Sequence, residues 1–292
     1  MRLVAVILLT LLLGGPLAGQ AVLIDSGTGT ENASAPPDDP GWDNVGTRGT
    51  LSAVYVGNSY ILTAGHTGVG DVVLGGVTHQ AVPGTEVTLL NADLSFADLR
   101  LFSIHPVPNL PALTIAATQP AIGAEVILIG HGRDRGAATS FDPNGAPPPG
   151  PVGGYLWLAT QSMRWGTNEV DSFTTVSLAG TTSSAFSTLF DEAGTLHEAS
   201  ATPGDSGGAA FLDTGSQWEL AGIIFAISQF PGQPPNSSIY GNPTLVVDLS
   251  VYRTQIVDTI ALPEPSGGLL AGILLLHALA RARVTRGSRG PA

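Results

Sequence analysis

The sequence predicts an all-β protein of two packed six-stranded antiparallel β-barrels followed by a C-terminal helix. The chain has 292 residues, including 38 Gly and 22 Pro, and 43% of it is apolar. Glycine and proline at this frequency, beside so much apolar sequence, favour short strands joined by turns. Short β-like runs separated by turn residues form two clusters of about six, which suits two closed barrels.

A proline-rich linker separates the two clusters of predicted strands. We place the first barrel at about 45–117 and the second at about 118–248, within a domain covering 45–260. The prolines of the linker are Pro106, Pro108, Pro111 and Pro120.

A short helix is predicted over 250–260, directly after the second barrel. Asp248 and Ser250 have side chains that favour the start of a helix. Four apolar side chains approximate one helical face: Val251, Ile256, Val257 and Ile260.

The N-terminal end, residues 1–21, has the pattern of a secretory signal peptide. Arg2 precedes an apolar run over 3–13 and then small residues, the order typical of such signals. Cleavage is expected after Gly19 or Ala21, and a buried first helix is the alternative. Residues 22–44 are rich in Gly, Pro, Ser, Thr and Asp, which predicts a flexible N-terminal arm.

The C-terminal end, residues 261–292, has three parts in a fixed order. Pro263-Glu264-Pro265 precedes an apolar run at 267–280 and a cluster of four arginines. This order resembles the PEP-CTERM sorting signal. The resemblance implies export from a Gram-negative-type cell to the envelope or the medium, transient membrane anchoring through 267–280, and cleavage by an exosortase-type enzyme. A plain C-terminal membrane anchor is the alternative.

Composition excludes several classes of function. All 11 basic residues are arginine, and the part between the two ends has six arginines against 22 acidic residues, a net charge of −16. Such a surface repels phosphates, so we expect no nucleic-acid partner. The absence of cysteine excludes disulfides, thiolate metal sites and thiol nucleophiles. We expect no cofactor and assign no metal site, because four further histidines lack metal-ligand spacing: His79, His105, His131 and His197. Calcium binding stays open, since acidic loops such as Asp38-Asp39 and Asp191-Glu192 are plentiful.

Three short segments together indicate hydrolytic chemistry. His66 follows an apolar strand, Asp98 lies at the start of an alternating strand, and Ser206 is flanked by glycines in Gly204-Asp205-Ser206-Gly207-Gly208. A serine hydroxyl is a weak nucleophile and needs a base such as histidine. The imidazole in turn needs a carboxylate to orient it. Each residue alone has an ordinary structural explanation, whereas their combination favours catalysis.

These segments resemble the chymotrypsin/trypsin family of serine peptidases, over roughly 49–260. Thr63-Ala64-Gly65-His66 is similar to the family's Thr-Ala-Ala-His, Asp98-Leu99 to its Asp-Ile/Leu, and Gly204 to Gly208 match its nucleophile loop. The resemblance implies that His66 is the general base and then acid, Asp98 its orienting carboxylate and Ser206 the nucleophile. It implies an oxyanion hole from the N–H groups of Gly204 and Ser206, and a protein or peptide as substrate.

The sequence departs from the family at its start. No Ile-Val-Gly-Gly follows an activating basic site, so the family's pairing of a new N-terminus with the acid before the nucleophile is in question. Here that acid is Asp205. Its partner stays open between four candidates: Arg48, Arg164, a hydroxyl cluster or the mature N-terminus.

The resemblance also suggests which residues bind substrate. Ser200, six residues before Ser206, would lie at the base of the pocket for the residue preceding the cleaved bond, and Phe225 and Ile227 on its wall. An uncharged base offers no partner to Lys or Arg, so we expect cleavage after small or otherwise uncharged residues.

Two other functions fit parts of the pattern. Gly-x-Ser-x-Gly also occurs at the nucleophile of α/β-hydrolases, but that fold needs a histidine after the serine, and only His277 in the apolar C-terminal run follows Ser206. A binding module that keeps the fold without catalysis is the second alternative. The three intact residues favour an exported serine endopeptidase.

Overall fold

The computed structural model describes residues 20–143 and 150–261, which form nineteen strands and one α-helix. Nearly all of the predicted signal peptide and the sorting segment from 262 onward, with its apolar run, lie outside the described residues. Within the described ranges, the single helix is too short and too polar to cross a membrane.

The strands alternate with short turns along the whole chain. In chain order they are β1 (Gln20–Ala21), β2 (Leu23–Ile24), β3 (Val45–Arg48), β4 (Leu51–Gly57), β5 (Tyr60–Ala64), β6 (Val72–Leu74), β7 (Val77–Ala81), β8 (Val87–Leu90), β9 (Phe96–His105), β10 (Glu125–Gly130), β11 (Gly132–Phe141), β12 (Val152–Gln161), β13 (Arg164–Leu178), β14 (Thr181–Leu189), β15 (Ala199–Ser200), β16 (Ala209–Asp213), β17 (Trp218–Ile227), β18 (Ser237–Ile239) and β19 (Pro243–Asp248); helix α1 covers Leu249–Ala261.

Two closed six-stranded barrels confirm the predicted architecture. In the first, the order β5-β4-β3-β6-β7-β9 closes through antiparallel pairing of β9 with β5, and β8 adds to the outside of β9. In the second, β10-β13-β14-β19-β17-β16 closes through the pairing of β16 with β10. Closure removes the unpaired strand edges that an open sheet would expose.

The two barrels and α1 share one apolar core. Its fully buried members include Leu62 and Leu101 of the first barrel, Ile223 of the second and Tyr252 of the helix. Burial of a side chain of this size stabilises the fold by about 1.5–3 kcal/mol. The barrels therefore pack as one unit along a common face.

Helix α1 confirms the predicted C-terminal helix and part of its predicted apolar face. Leu249, Tyr252 and Ile256 are its buried side chains, and Ile260 packs against the core. The prediction was wrong for Val251 and Val257, which are exposed because Tyr252 occupies the core instead. Its ring packs inward, and its hydroxyl donates to Asn91 Oδ1 at 2.7 Å.

The segment 22–44, expected to be a flexible arm, packs against the second barrel. Val22, Leu23 and Ile24 are fully buried, and β2 pairs antiparallel with β15. The guanidinium of Arg135 donates to the backbone carbonyls of residues 24–27. Backbone carbonyls that are removed from water need hydrogen-bond donors, and Arg135 supplies them here. Strand pairing and the Arg135 hydrogen bonds therefore anchor the start of this segment to the second barrel.

Strands β11 and β12 form a long hairpin outside the second barrel. They join β18 and β1 in a four-stranded sheet. Asp25 accepts hydrogen bonds from the hydroxyls of Tyr155, at 2.9 Å, and Tyr240, at 2.6 Å. These hydrogen bonds attach the N-terminal segment to β12 and to the residue that follows β18.

Candidate active site

Strand pairing brings His66 and Asp98 together. β5 ends at Ala64 opposite Leu99 of β9, and a 3₁₀ turn over Gly65–Thr67 then carries the histidine. His66 Nδ1 lies 2.7 Å from Asp98 Oδ2, and the backbone N–H of His66 donates to Asp98 Oδ1, also at 2.7 Å. Asp98 is 2% exposed and the His66 side chain 32% exposed. The carboxylate thus fixes the ring orientation, and the His66 side chain stays partly exposed.

Ser206 lies on the loop between β15 and β16 of the second barrel, and it is half-buried. The loop touches the first barrel through two residues of the strands that precede His66. The N–H of Ser52 donates to Ser206 O at 3.0 Å. A Cβ at Gly207 would lie 2.0 Å from Ser52 O and 2.2 Å from Thr63 Oγ1. The serine loop therefore abuts β5, the strand that delivers His66.

The backbone of this loop leaves two N–H groups without protein acceptors. Those of Asp205, Gly207 and Gly208 donate to carbonyls of Thr202, Ile224 and Asp205, and that of Thr202 donates to the Asp205 carboxylate. Within the described ranges, the N–H groups of Gly204 and Ser206 have no such partner. Buried N–H groups are nearly always paired, so two neighbouring unpaired ones suit a developing negative oxygen.

Position 207 requires glycine, both because of its backbone conformation and because its neighbours leave no room for a Cβ. Its φ of +90° lies in the left-handed region. We expect Gly207→Ala to lower the free energy of unfolding by about 2–4 kcal/mol, since backbone strain and displacement of Ser52 add together. Gly215→Ala is the matched control, because its φ of +78° is similar but a Cβ there meets nothing within 4 Å. Chemical denaturation measures both, and equal losses would contradict the steric explanation.

Known structures share this architecture. No family model matches the sequence, and no curated protein matches it either. Neuropsin, a serine protease expressed in the limbic system of mouse brain, superposes with a TM-score of 0.52 at 19% identity, over 79% of this chain and 99% of neuropsin. The chain has the chymotrypsin-like serine protease fold. The Rv3671c protein of M. tuberculosis, in an inactive form, matches with a TM-score of 0.46 at 15% identity, over 80% of this chain and 98% of that one.

In this chymotrypsin-like fold the residues expected to bind substrate lie at different depths. Ser200 is buried, and its hydroxyl oxygen lies 3.1 Å from Ala201 O and 3.3 Å from Ser238 Oγ. Phe225 is 2% exposed and packs in the core shared by the barrels, so its side chain does not form an open pocket wall. Ile227 is half-buried. Of these side chains, only that of Ile227 reaches the surface.

No hydrogen bond joins Ser206 Oγ to the His66 ring among the described residues. In free enzymes such contacts are often long and tighten only when substrate binds. The chain brings His66 and Asp98 into direct contact, and it brings the Ser206 loop against their barrel.

Asp205, next to the serine, is a fully buried carboxylate. Its Oδ2 accepts from the N–H of Thr202 at 2.8 Å and from the Thr202 hydroxyl at 3.1 Å. Its Oδ1 has no hydrogen-bond partner in the described part of the chain. Burial raises the pKa of Asp205 to about 8, although the bonds from Thr202 act in the opposite direction. One oxygen therefore lacks a compensating donor or charge.

Two of the four partners left open for Asp205 bind elsewhere. Arg48 donates to Val69 O at 2.9 Å. Arg164 donates to the carbonyl of Glu31 at 2.8 Å and pairs with Asp134 at 3.0 Å. The third candidate was a hydroxyl cluster, and the hydroxyl that binds Asp205 is that of Thr202.

The other histidines have structural contacts. His79 Nδ1 lies 2.5 Å from Pro106 O, and the ring of His197 packs edge-on against Trp165. Burial lowers the pKa of His131. No group of three His, Asp or Glu within 20–143 and 150–261 is arranged to hold a metal ion.

Sequence reasoning missed three polar residues that support the site. Ser52 holds the serine loop, Thr202 binds Asp205, and the Ser183 hydroxyl accepts from the N–H of Asp98 at 2.9 Å. Ser52 offered a signal, because it is a polar residue within the apolar run Leu51-Ser52-Ala53-Val54. A buried hydroxyl needs hydrogen-bond partners, so a serine in an apolar strand predicts a hydrogen bond to the backbone of another segment.

Proposed function

We propose that this protein is an exported serine endopeptidase. His66 accepts the proton of Ser206 Oγ as the oxygen attacks the carbonyl carbon of a peptide bond. His66 then donates that proton to the leaving amine, which produces an acyl-enzyme that water hydrolyses by the same steps. Asp98 orients the imidazole and stabilises its charged form. The N–H groups of Gly204 and Ser206 stabilise the negative oxygen.

A single observation carries the proposal. The His66–Asp98 pair, at 2.7 Å, lies on the barrel that contacts the Ser206 loop, and that loop has two unpaired N–H groups beside the hydroxyl. A base, a nucleophile and an oxyanion site are the parts that acyl transfer requires.

The substrate we propose is a protein or peptide cleaved after a small or uncharged residue. The support is the absence of a charged side chain at Ser200 and the bulk of the half-buried Ile227. The proposed export, anchoring through 267–280 and cleavage by an exosortase-type enzyme rest on the sequence of the two ends.

Activation, we propose, follows removal of the signal peptide after Ala21. The new α-ammonium group would belong to Val22, which is 0% exposed. β1 pairs with Gly132, and Asp205 Oδ1 lies against Gly130. A buried ammonium needs a counter-charge, and Asp205 is a buried carboxylate with one oxygen unpaired.

Labelling and cleavage together test the function. We expect a fluorophosphonate probe to label the purified protein at Ser206, and a peptide library to be cleaved after Ala, Val, Ser or similar residues. Dominant cleavage after Arg or Lys would contradict the proposed pocket. Specific peptide binding without labelling or cleavage would favour the alternative of a binding module that has lost catalysis.

A further inference from the structure

One buried serine of the first barrel holds the backbone of the loop that carries Ser206. Ser52 lies on β4 and is 0% exposed. Its N–H donates to Ser206 O at 3.0 Å, and its hydroxyl donates to Gly204 O at 3.2 Å. The same residue therefore binds the carbonyls on both sides of Asp205.

The direction of the Ser52 hydroxyl proton is fixed by a third contact. The N–H of His131 donates to Ser52 Oγ at 2.9 Å. A hydroxyl has one proton to give, and the lone pair toward His131 is occupied, so that proton points at Gly204 O. The hydroxyl thus bridges the end of β10, the first barrel and the serine loop.

This contact matters because Gly204 has an unusually free backbone. Its φ is +103°, a region that glycine enters without steric cost. The peptide unit after Gly204 consists of the carbonyl that Ser52 binds and the N–H of Asp205, which donates to Thr202 O at 3.1 Å, and planarity holds these two groups together. This unit joins the Cα of Gly204 to Asp205. Without the hydroxyl bond it can rotate more freely, which would displace the neighbouring Gly204 and Ser206 N–H groups from the position of the oxyanion.

We propose that Ser52 is a positioning residue for the oxyanion hole, an inference that rests on the proposed peptidase function. Its hydroxyl restrains the peptide unit between Gly204 and Asp205, which lies between the two N–H groups of the oxyanion site, and its backbone N–H anchors Ser206. Ser52 does not touch the substrate. The first barrel would then supply part of the order of the oxyanion site, besides His66 and Asp98.

Two substitutions separate positioning from stability. Ser52→Ala and Ser52→Gly both remove the hydroxyl and keep the N–H, but glycine in a strand is the more destabilising. We expect both to lower kcat/KM by about 10–100-fold through kcat, below the full loss of one oxyanion donor. KM should change by less than about 2-fold, as expected when only the transition state loses an interaction.

The affinity for a peptide aldehyde is a measurement that would not change if Ser52 had a purely structural role. Ser206 Oγ adds to the aldehyde carbon and the former carbonyl oxygen occupies the oxyanion site. We expect the affinity for the aldehyde to fall by the same factor as kcat/KM in both variants. Ser59→Ala is the matched control, since Ser59 is a 2% exposed serine of the same barrel whose hydroxyl lies 3.2 Å from that of Ser103.

The outcomes are distinct for the two proposals. If wild-type protein is labelled and active but both Ser52 variants keep full kcat/KM and aldehyde affinity, the Ser52 inference is overturned alone. The inference is also overturned if the loss of kcat/KM in each variant follows its loss of melting temperature, so that Ser52→Gly is far less active than Ser52→Ala. If the wild-type protein neither cleaves peptides nor reacts with the probe, the peptidase function fails and the inference falls with it.

Discussion

Ser206→Ala and His66→Ala should each lower kcat by about 10⁴–10⁶-fold, because nucleophile and base act as a unit. The Ser206 hydroxyl has no other means of losing its proton at neutral pH. Fluorophosphonate labelling should disappear in Ser206→Ala and fall sharply in His66→Ala. Turnover of a cleaved library peptide, with active enzyme counted by the probe, measures both.

The double variant sharpens the test. Once either residue is removed, the other has no function, so the double variant should be no slower than the single ones. His79→Ala serves as control, since it removes a buried histidine of the same barrel that contacts Pro106 O. Multiplicative losses in the double variant, or a comparable loss in the control, would contradict a shared proton-transfer step.

The barrels were predictable because strand patterning is local. Alternating apolar residues and turn residues mark most strands on their own. Local patterning does not mark a strand that tertiary contacts hold. Strand β11 has few apolar residues, because pairing with β12 rather than burial holds it.

The contact between His66 and Asp98 was predictable because the order of the two segments follows a known pattern. The supporting residues were not, since Ser52 and Ser183 make their hydrogen bonds from 152 and 85 positions away in the chain. Local pattern carries no information about such distant hydrogen bonds. The burial of Phe225 was likewise unpredictable, because it depends on how the two barrels pack.

A chain that begins at Val22 should be far more active than one that keeps residues before it. Loss of one partner of a buried ion pair costs about 3–5 kcal/mol, which corresponds to about 10²–10⁴-fold if it falls on the active conformation. We therefore expect chains beginning at Gln20, or carrying Asp205→Asn, to lose activity on this scale. Kinetics on matched preparations, with termini verified by mass spectrometry, measure the difference.

Acetylation of Val22 is the decisive control, because it removes the charge without lengthening the chain. It should lower activity as the extension does, and full activity in the acetylated protein would show that the charge is unimportant.

The pH dependence of stability gives a second readout. In the extended chain the pKa of Asp205 is raised from 3.8 to about 8 by burial, so the folded state prefers the protonated acid. That stability is present below about pH 4 and is lost as pH rises toward 8. Pairing with the Val22 ammonium lowers this pKa, so the melting temperature of the processed chain should lack this decline.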